Sequence, residues 1–351
     1  MIYFDVTKTA KSRHRSGLMR VSQRLSEELG DRVLPIVWAK DGWTLVKRKE
    51  RVALLSEDWI LTPELFSELE RPGFWHFLHG RECRLAAIFH DAIPLKMPQT
   101  TWPQSVARHP EYMKMLASFD RVFPVSRSSA SELEAFWAWQ GAAVRARVSP
   151  ITLGADMAGE TRVLPGAAKK KAAPPLLLCL GILEPRKNQM LVLDVAESLL
   201  RERVDFRLEI VGRVNPHFGR EIERRTRELA KAYPQIRYRS AVGDRELLEL
   251  WGSARATLFP TVAEGCGLPL LESLWMGVPC VCSDLPVLRE NGDRGGCDFV
   301  PLNDRGAWTQ ALRKIIGSPS HVTALETQIA ARELPTWRGA ADAIVEGLGD
   351  A

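Results

Sequence analysis

The chain has no run of 18 apolar residues, which excludes a single helix crossing a bilayer. Its six cysteines form no C-x-x-C pair and show none of the spacing of a zinc site. Several sit in apolar runs, as in Leu178-Cys179-Leu180 and Val278-Pro279-Cys280-Val281-Cys282, the setting of buried, reduced thiols. That usage suits a cytoplasmic protein and leaves peripheral contact with a membrane face open. There is little excess charge: the net value is +5, most of it in the first 165 residues. So small a surplus gives no case for a nucleic-acid partner. Met1–Val6 turns polar and basic too soon for a secretory signal and reads as a first strand. No internal repeat and no heptad pattern is present.

What remains is an ordinary globular composition, 45% hydrophobic and 26% charged, over 351 residues, a length that suits two domains. Short apolar runs alternate with helical patterns. Ile2–Val6 leads through a basic loop into Gly17–Leu29, where Leu18, Val21, Leu25 and Leu29 share one helical face. Leu85–His90 and Arg121–Val125 read as strands, and Ser126 opens a helix carrying Leu133, Phe136 and Trp137. Residues 158–175 break the pattern with Gly159, Pro165, Gly166, Lys169–Lys171 and Pro174-Pro175. The pattern then restarts with strands at Leu176–Leu180, Phe206–Val211, Ile236–Tyr238, Ala256–Phe259 and Pro279–Ser283, with helices between them. The expected fold is α/β: two Rossmann-like, doubly wound domains facing a central cleft. The expected divisions are an N-terminal domain at 1–165, a linker at 166–175, a C-terminal domain at 176–333, and a closing helix at 334–351.

The most informative segment is Phe259-Pro-Thr-Val-Ala-Glu264-Gly265-Cys266-Gly267-Leu268-Pro269-Leu270-Leu271-Glu272. A strand runs into a glycine-containing loop, and Pro269 suits the first turn of a helix because its missing N–H costs nothing there. Gly265 and Gly267 allow a tight turn and a close approach to a ligand. The amides of residues 266–269, at the positive end of the helix dipole, suit a phosphate or sugar hydroxyls. Glu264 and Glu272 flank the loop and can address two parts of one ligand.

This segment resembles the E-x7-E motif of glycosyltransferase family 4. Gly181-Ile-Leu-Glu-Pro-Arg186-Lys187-Asn188 is similar to the family's G-x-x-x-x-R-K-N segment, and His90-Asp91-Ala-Ile-Pro94 to its H-D-x-x-P. Arg15-Ser-Gly17-Leu-Met-Arg20-Val21 resembles the entry to the first helix in one branch, and Val125-Ser126 a V-S step. Leu334-Pro-Thr-Trp337 resembles the closing segment, after which a last helix returns to the N-terminal domain. Each match is short; their order along the chain carries the resemblance. It implies the GT-B fold, an N-terminal domain on the acceptor side, and a retaining, metal-independent hexosyl transfer. The donor implied is a nucleotide-diphosphate sugar, such as GDP-mannose or a UDP- or dTDP-sugar. The acceptor implied is an oligosaccharide or lipid-linked glycan, in surface-polysaccharide assembly.

On matching positions the resemblance makes Glu264, Arg186, Lys187 and His90 the catalytic set. Gly17, Gly212, Arg213, Val242, Gly265, Cys266, Gly267, Leu268, Pro269 and Glu272 form the donor-binding set. No metal and no cofactor is expected: no two aspartates stand two apart, so no D-x-D pair can hold a cation against the diphosphate. Arg186 and Lys187 are expected to neutralise the leaving group instead. The sequence departs from the family pattern at Cys266, which stands where Phe is usual. It departs again in the N-terminal loop, where Gly17 stands alone among Lys8, Lys11, Arg13, His14 and Arg15. Two other readings share this fold: a nucleotide-sugar epimerase or phosphorylase, and a non-catalytic sugar-nucleotide-binding protein.

Overall fold

A computed structural model describes residues 1–11, 17–40, 42–157, 160–164 and 174–349. The chain divides by contact into two units, residues 1–154 with 335–351, and residues 155–334. The segment expected as a linker, 166–175, lies outside the described residues up to position 173.

The first unit is built on a seven-stranded sheet: β1 (Ile2–Asp5), β2 (Leu34–Ala39), β3 (Gly42–Leu45), β4 (Trp59–Thr62), β5 (Arg84–Phe89), β6 (Arg121–Pro124) and β7 (Arg147–Val148). They lie side by side in the order β3-β2-β1-β4-β5-β6-β7. All neighbours run parallel except β3, which turns back antiparallel on β2 with Ile36 opposite Leu45. The second unit carries β8 (Leu176–Leu180), β9 (Arg207–Val211), β10 (Ile236–Arg239), β11 (Ala254–Phe259), β12 (Cys280–Ser283) and β13 (Cys297–Val300). Their order is β10-β9-β8-β11-β12-β13, and every pair is parallel. Both sheets are therefore doubly wound, and the strand order reverses between β1 and β4 and between β8 and β11.

The local sequence explains these elements. A parallel strand covered by helices on both faces must be apolar throughout, and β8 reads Leu-Leu-Leu-Cys-Leu. The helix Gln189–Arg201 turns Val192, Leu193, Val195, Ala196, Leu199 and Leu200 onto the same sheet. Each fully buried Leu or Val of this kind stabilises the fold by about 1.5–3 kcal/mol. Strands β2, β3, β4, β7 and β13 are not among the sequence expectations; β2 and β4 pass through or end beside Pro35, Pro63 and polar residues that blur their apolar run, and β7 is only two residues long. The core of the first unit is rich in aromatic rings, with Trp38, Trp43 and Phe74 in edge-to-face contact and Phe66 tilted against Phe74.

The closing helix Trp337–Gly349 belongs to the first unit, where it packs on the helix Gly17–Leu29. Arg32 reaches Asp342 at 2.6 Å, and the Arg24 guanidinium lies 5.9 Å from the Trp337 ring centre. At Gly154 the chain runs against the start of this helix: a Cβ there would stand 2.2 Å from the Trp337 backbone nitrogen. We expect Gly154→Ala to lower the unfolding free energy by about 1–3 kcal/mol, the usual cost of overpacking. Urea unfolding checks this, and a variant as stable as the native chain would disprove the close packing.

Candidate functional site

The loops leaving β8 and β11 emerge from neighbouring strands, at the place where the second sheet reverses its order. Open α/β sheets bind their ligands at such a point. After β8, Pro185 starts a single 3-10 turn, Pro185–Lys187, and Asn188 ends it in the left-handed conformation that asparagine tolerates. After β11, the segment 260–267 leads into the helix Leu268–Trp275. The two loops are stitched together: the Val262 amide donates to the Arg186 carbonyl at 2.9 Å.

Glu264 is the centre of this junction. Its Oε1 accepts from Lys187 Nζ at 2.6 Å, Thr261 Oγ1 at 2.6 Å and Arg186 Nη1 at 3.0 Å. Arg186 Nη1 also donates to the Ala263 carbonyl at 2.8 Å. Glu264 Oε2 takes no hydrogen bond from the described residues. Burial alone would push the Glu264 carboxyl up, but the charges of Lys187 and Arg186 and the hydrogen bonds from Lys187 and Thr261 outweigh it. Glu264 is thus held below the usual carboxylate range. Burial has the upper hand at Lys187, whose ammonium sits below the ordinary lysine value despite Glu264 beside it. The Phe259 ring, 5.0 Å from Lys187 Nζ, offers the cation a π-face.

Behind this cluster stands a residue that the sequence reading left without a role. Glu184 Oε1 accepts from Arg186 Nη2 at 2.7 Å, and its Oε2 accepts from Asn215 Nδ2 at 3.0 Å. Glu184 therefore ties Arg186 to the loop after β9. That loop carries Gly212 and Arg213. A Cβ on Gly212 would lie 1.9 Å from the Gly181 carbonyl oxygen, so only glycine lets the two backbones meet. Arg213 is exposed, and its side chain makes no hydrogen bond or ion pair with the described residues. Glu184, Thr261 and Asn215 are common polar residues with no spacing signal. Glu184, inside the Gly181–Asn188 segment, and Thr261, inside the Phe259–Glu272 segment, lay where a search could have started; Asn215 did not.

The glycine loop has the geometry its sequence requires. Gly267 adopts φ +83°, and a Cβ on it would stand 2.5 Å from Leu288 Cδ2. It precedes Leu268 and Pro269 at the helix start, with no side chain capping the end. Gly265 and Cys266 are buried; the Cys266 carbonyl accepts from Asn291 Nδ2 at 2.6 Å, which fixes the loop. Glu272 is half-buried one turn further on. The helix is anchored by Ser273, whose hydroxyl lies 2.6 Å from Thr257 Oγ1 and donates to the Val278 carbonyl at 2.8 Å. Val242 packs its side chain against the apolar cluster of Val211, Leu250 and Trp251.

Two of the expected site residues, His90 and Gly17, belong to the first unit. Gly17 is exposed and begins the helix Gly17–Leu29. Of the basic run before it, Arg13, His14 and Arg15 lie outside the described residues, Lys8 pairs with Glu70, and Lys11 is exposed. His90 is buried at the end of β5, with Nε2 donating to the Pro63 carbonyl at 2.7 Å. Its own carbonyl accepts from Ser129 Oγ, in the helix that Ser126 caps. Burial holds the imidazole neutral, below the ordinary 6.5. Among the described residues, no group of three or more His, Cys, Asp or Glu is placed to hold a metal ion, and no helix is long and apolar enough to cross a membrane.

Residues 174–318 match the family model described as Glycosyl transferases group 1. The serotype-specific mannosyltransferase WbdA of Escherichia coli is 30% identical over 218 residues, covering 58% of this chain and 26% of that protein. The O-antigen chain mannosyltransferase B of Escherichia coli is 32% identical over 182 residues, 47% of this chain and 40% of that one. The chain thus spans about a quarter of the length of the first of these relatives. Among solved structures, Anabaena Alr3699/HepE in complex with UDP and glucose superposes with a TM-score of 0.72 at 13% identity, covering 100% of this chain and 99% of that one. WaaG, a glycosyltransferase of lipopolysaccharide biosynthesis, superposes with a TM-score of 0.67 at 13% identity over 100% of both chains. The fold is the GT-B fold expected from the sequence.

Two measurements test the site as described. The Lys187→Met and Glu264→Gln variants and their double should give a stability coupling of about 2 kcal/mol, because each single change strands a buried partner; additive losses would break the pairing. The second concerns His90. Its folded value lies below 6.5, so the unfolded chain takes up the proton first as pH falls. That stabilisation is complete above about 6.5 and is lost below it. His90→Asn should therefore flatten the fall in unfolding free energy between pH 7 and pH 5, and an unchanged slope would refute a buried neutral imidazole.

Proposed function

We propose that the chain is a retaining, metal-independent glycosyltransferase that moves a hexose, with mannose the first candidate, from a nucleotide-diphosphate sugar to a glycan or glycolipid acceptor. The observation that carries this reading is the Glu264 carboxylate. One of its oxygens is locked by two cations and a hydroxyl, while the other is left for a ligand. The mannosyltransferase relatives support the choice of sugar, and the O-antigen chain on which one of them acts supports a surface polysaccharide as the product.

In this reading Glu264 Oε2 accepts from a hydroxyl of the donor hexose, and the carboxylate opposes the positive charge that develops at the anomeric carbon. The bond from that carbon to the β-phosphate oxygen breaks as the acceptor oxygen bonds on the same face. The acceptor proton passes to a β-phosphate oxygen, and nucleoside diphosphate leaves. Lys187, Arg186 and the exposed Arg213 take up the growing phosphate charge in place of a metal, an electrostatic contribution worth more in a site shielded from water. The start of the helix Leu268–Trp275 favours the same anion. Glu272 binds the ribose. By the resemblance, His90, neutral with its proton on Nε2, offers Nδ1 as an acceptor to a sugar hydroxyl, and Gly17 at its helix start offers a backbone amide to a phosphate.

The test is transfer from labelled GDP-mannose, UDP-glucose and dTDP-rhamnose to a lipid-linked oligosaccharide, with excess chelator present. Glu264→Gln and Lys187→Ala should each reduce kcat by about 10²–10³ while still unfolding cooperatively, the usual cost of removing a preorganised charge. Arg213→Ala should raise KM for the donor more than it lowers kcat. Near-native turnover by the first two variants, or loss of activity with chelator, would sink the reading.

A further inference from the structure

The Arg186 guanidinium is gripped at two nitrogens. Nη1 donates to Glu264 Oε1 at 3.0 Å and to the Ala263 carbonyl at 2.8 Å, both in the loop after β11. Nη2 donates to Glu184 Oε1 at 2.7 Å, in the loop after β8. A planar fork held at one nitrogen can swing about that bond; held at both, its plane is fixed. The Glu184 and Arg186 side chains are only 12% and 20% exposed, so water competes little for the bond between them.

Glu184 is in turn held from the loop after β9. Its Oε2 accepts from Asn215 Nδ2 at 3.0 Å. Asn215 cannot turn its amide over, because its Oδ1 accepts from the amides of His217 at 3.0 Å and Phe218 at 3.3 Å. The backbone beside it is pinned as well. The Leu183 amide donates to the Arg213 carbonyl at 2.9 Å, and the Asn215 amide to the Leu183 carbonyl at 3.0 Å. Gly219 closes the turn, where a Cβ would stand 2.3 Å from the Leu183 carbonyl oxygen. A path of short bonds thus runs from the loop after β9 through Asn215 and Glu184 to Arg186.

These partners specify the residue type at 184. Arg186 and Asn215 both present N–H groups to it, so both of its terminal atoms must accept. A carboxylate does so, whereas an amide of the same shape turns an NH2 toward one of the two donors. Attraction for an anion argues the other way, since a carboxylate beside Arg186 draws off part of the charge that a phosphate would feel. Aim, then, is what a glutamate at this position supplies.

We propose that Glu184 is a positioning residue: braced by Asn215, it sets the plane of the Arg186 guanidinium for an anion, and it must be a carboxylate to do so. That the anion is the donor's diphosphate rests on the transfer reading; the brace does not. The test is a charge-conserving swap, Glu184→Gln with Asn215→Asp. In the swap the amide NH2 at position 184 meets a carboxylate at 215, its carbonyl still accepts from Arg186, and the amides of 217 and 218 keep an acceptor. In the transfer assay Glu184→Gln alone should lower kcat about tenfold with the donor KM within about twofold, the cost of a cation present but misaimed. Asn215→Asp alone sets carboxylate against carboxylate and should lower both kcat and the unfolding midpoint. The swap should bring kcat back to within about threefold of native and restore the midpoint, as coupled neighbours do. Asn215→Ala, which reaches Arg186 only through Glu184, answers if the swap does not fold: its kcat should fall about threefold, and a native kcat would count against the brace. Native turnover by Glu184→Gln, or a lower donor KM at unchanged kcat, would overturn the proposal and leave Glu184 a plain counter-charge. So would a swap no better than its worse single variant. A native chain that transfers no sugar sinks the transfer reading instead. The unfolding cycle of the two single variants and the swap, which contains no ligand, then decides the brace, and additive losses refute it.

Discussion

Glu264 Oε1 draws Lys187, Arg186 and Thr261 to one point, and the loops after β8 and β11 take their shape from that convergence. Two cations held side by side repel each other, and burying them is expensive unless a carboxylate offsets both. Glu264 does so through one oxygen, which keeps the other available. Around it the supports are ordered outward: Glu184 braces Arg186 from the side of β9, and Asn291 pins the loop carbonyl at Cys266. A change at any of these supports acts on a ligand only through the position of the charged cluster.

The arrangement also alters the meaning of the basic pair. As free charges, Arg186 and Lys187 would simply attract a diphosphate. In the folded chain they are already engaged with Glu264 and Glu184, so an arriving anion must share them. Arg213 is exposed and has no ion pair among the described residues, so it keeps its full charge to offer. In the first unit two buried carboxylates, Asp5 and Glu64, hold one arginine, Arg71, whose Nε and Nη1 have no hydrogen-bond partner among the described residues.

Much of this was legible in the sequence because the constraints are local. A parallel strand buried on both faces must be a short apolar run, and Leu176–Leu180 announces itself. Gly267 requires φ +83° and has Leu288 against it, so the glycine and the helix start at Leu268-Pro269 are readable together. Strands β2 to β4 escaped because their apolar runs are interrupted, and rings distant in sequence complete their burial. Thr261 and Asn215 escaped because a threonine or asparagine carries no signal until its partner is placed.

The sequence by itself determined the doubly wound α/β character of both units, the glycine-bounded loop between Glu264 and Glu272, and the candidate cations. These follow from periodicity and backbone chemistry within a few residues. Only the tertiary structure decided that Lys187, Arg186 and Thr261 share one oxygen of Glu264, across 77 residues for Lys187 and 78 for Arg186. It alone brought Asp5, Glu64 and Arg71 together in one buried network. Hydrogen bonds and ion pairs act over a few ångströms, and the order of strands in a sheet, not their order in the chain, sets which side chains come that close.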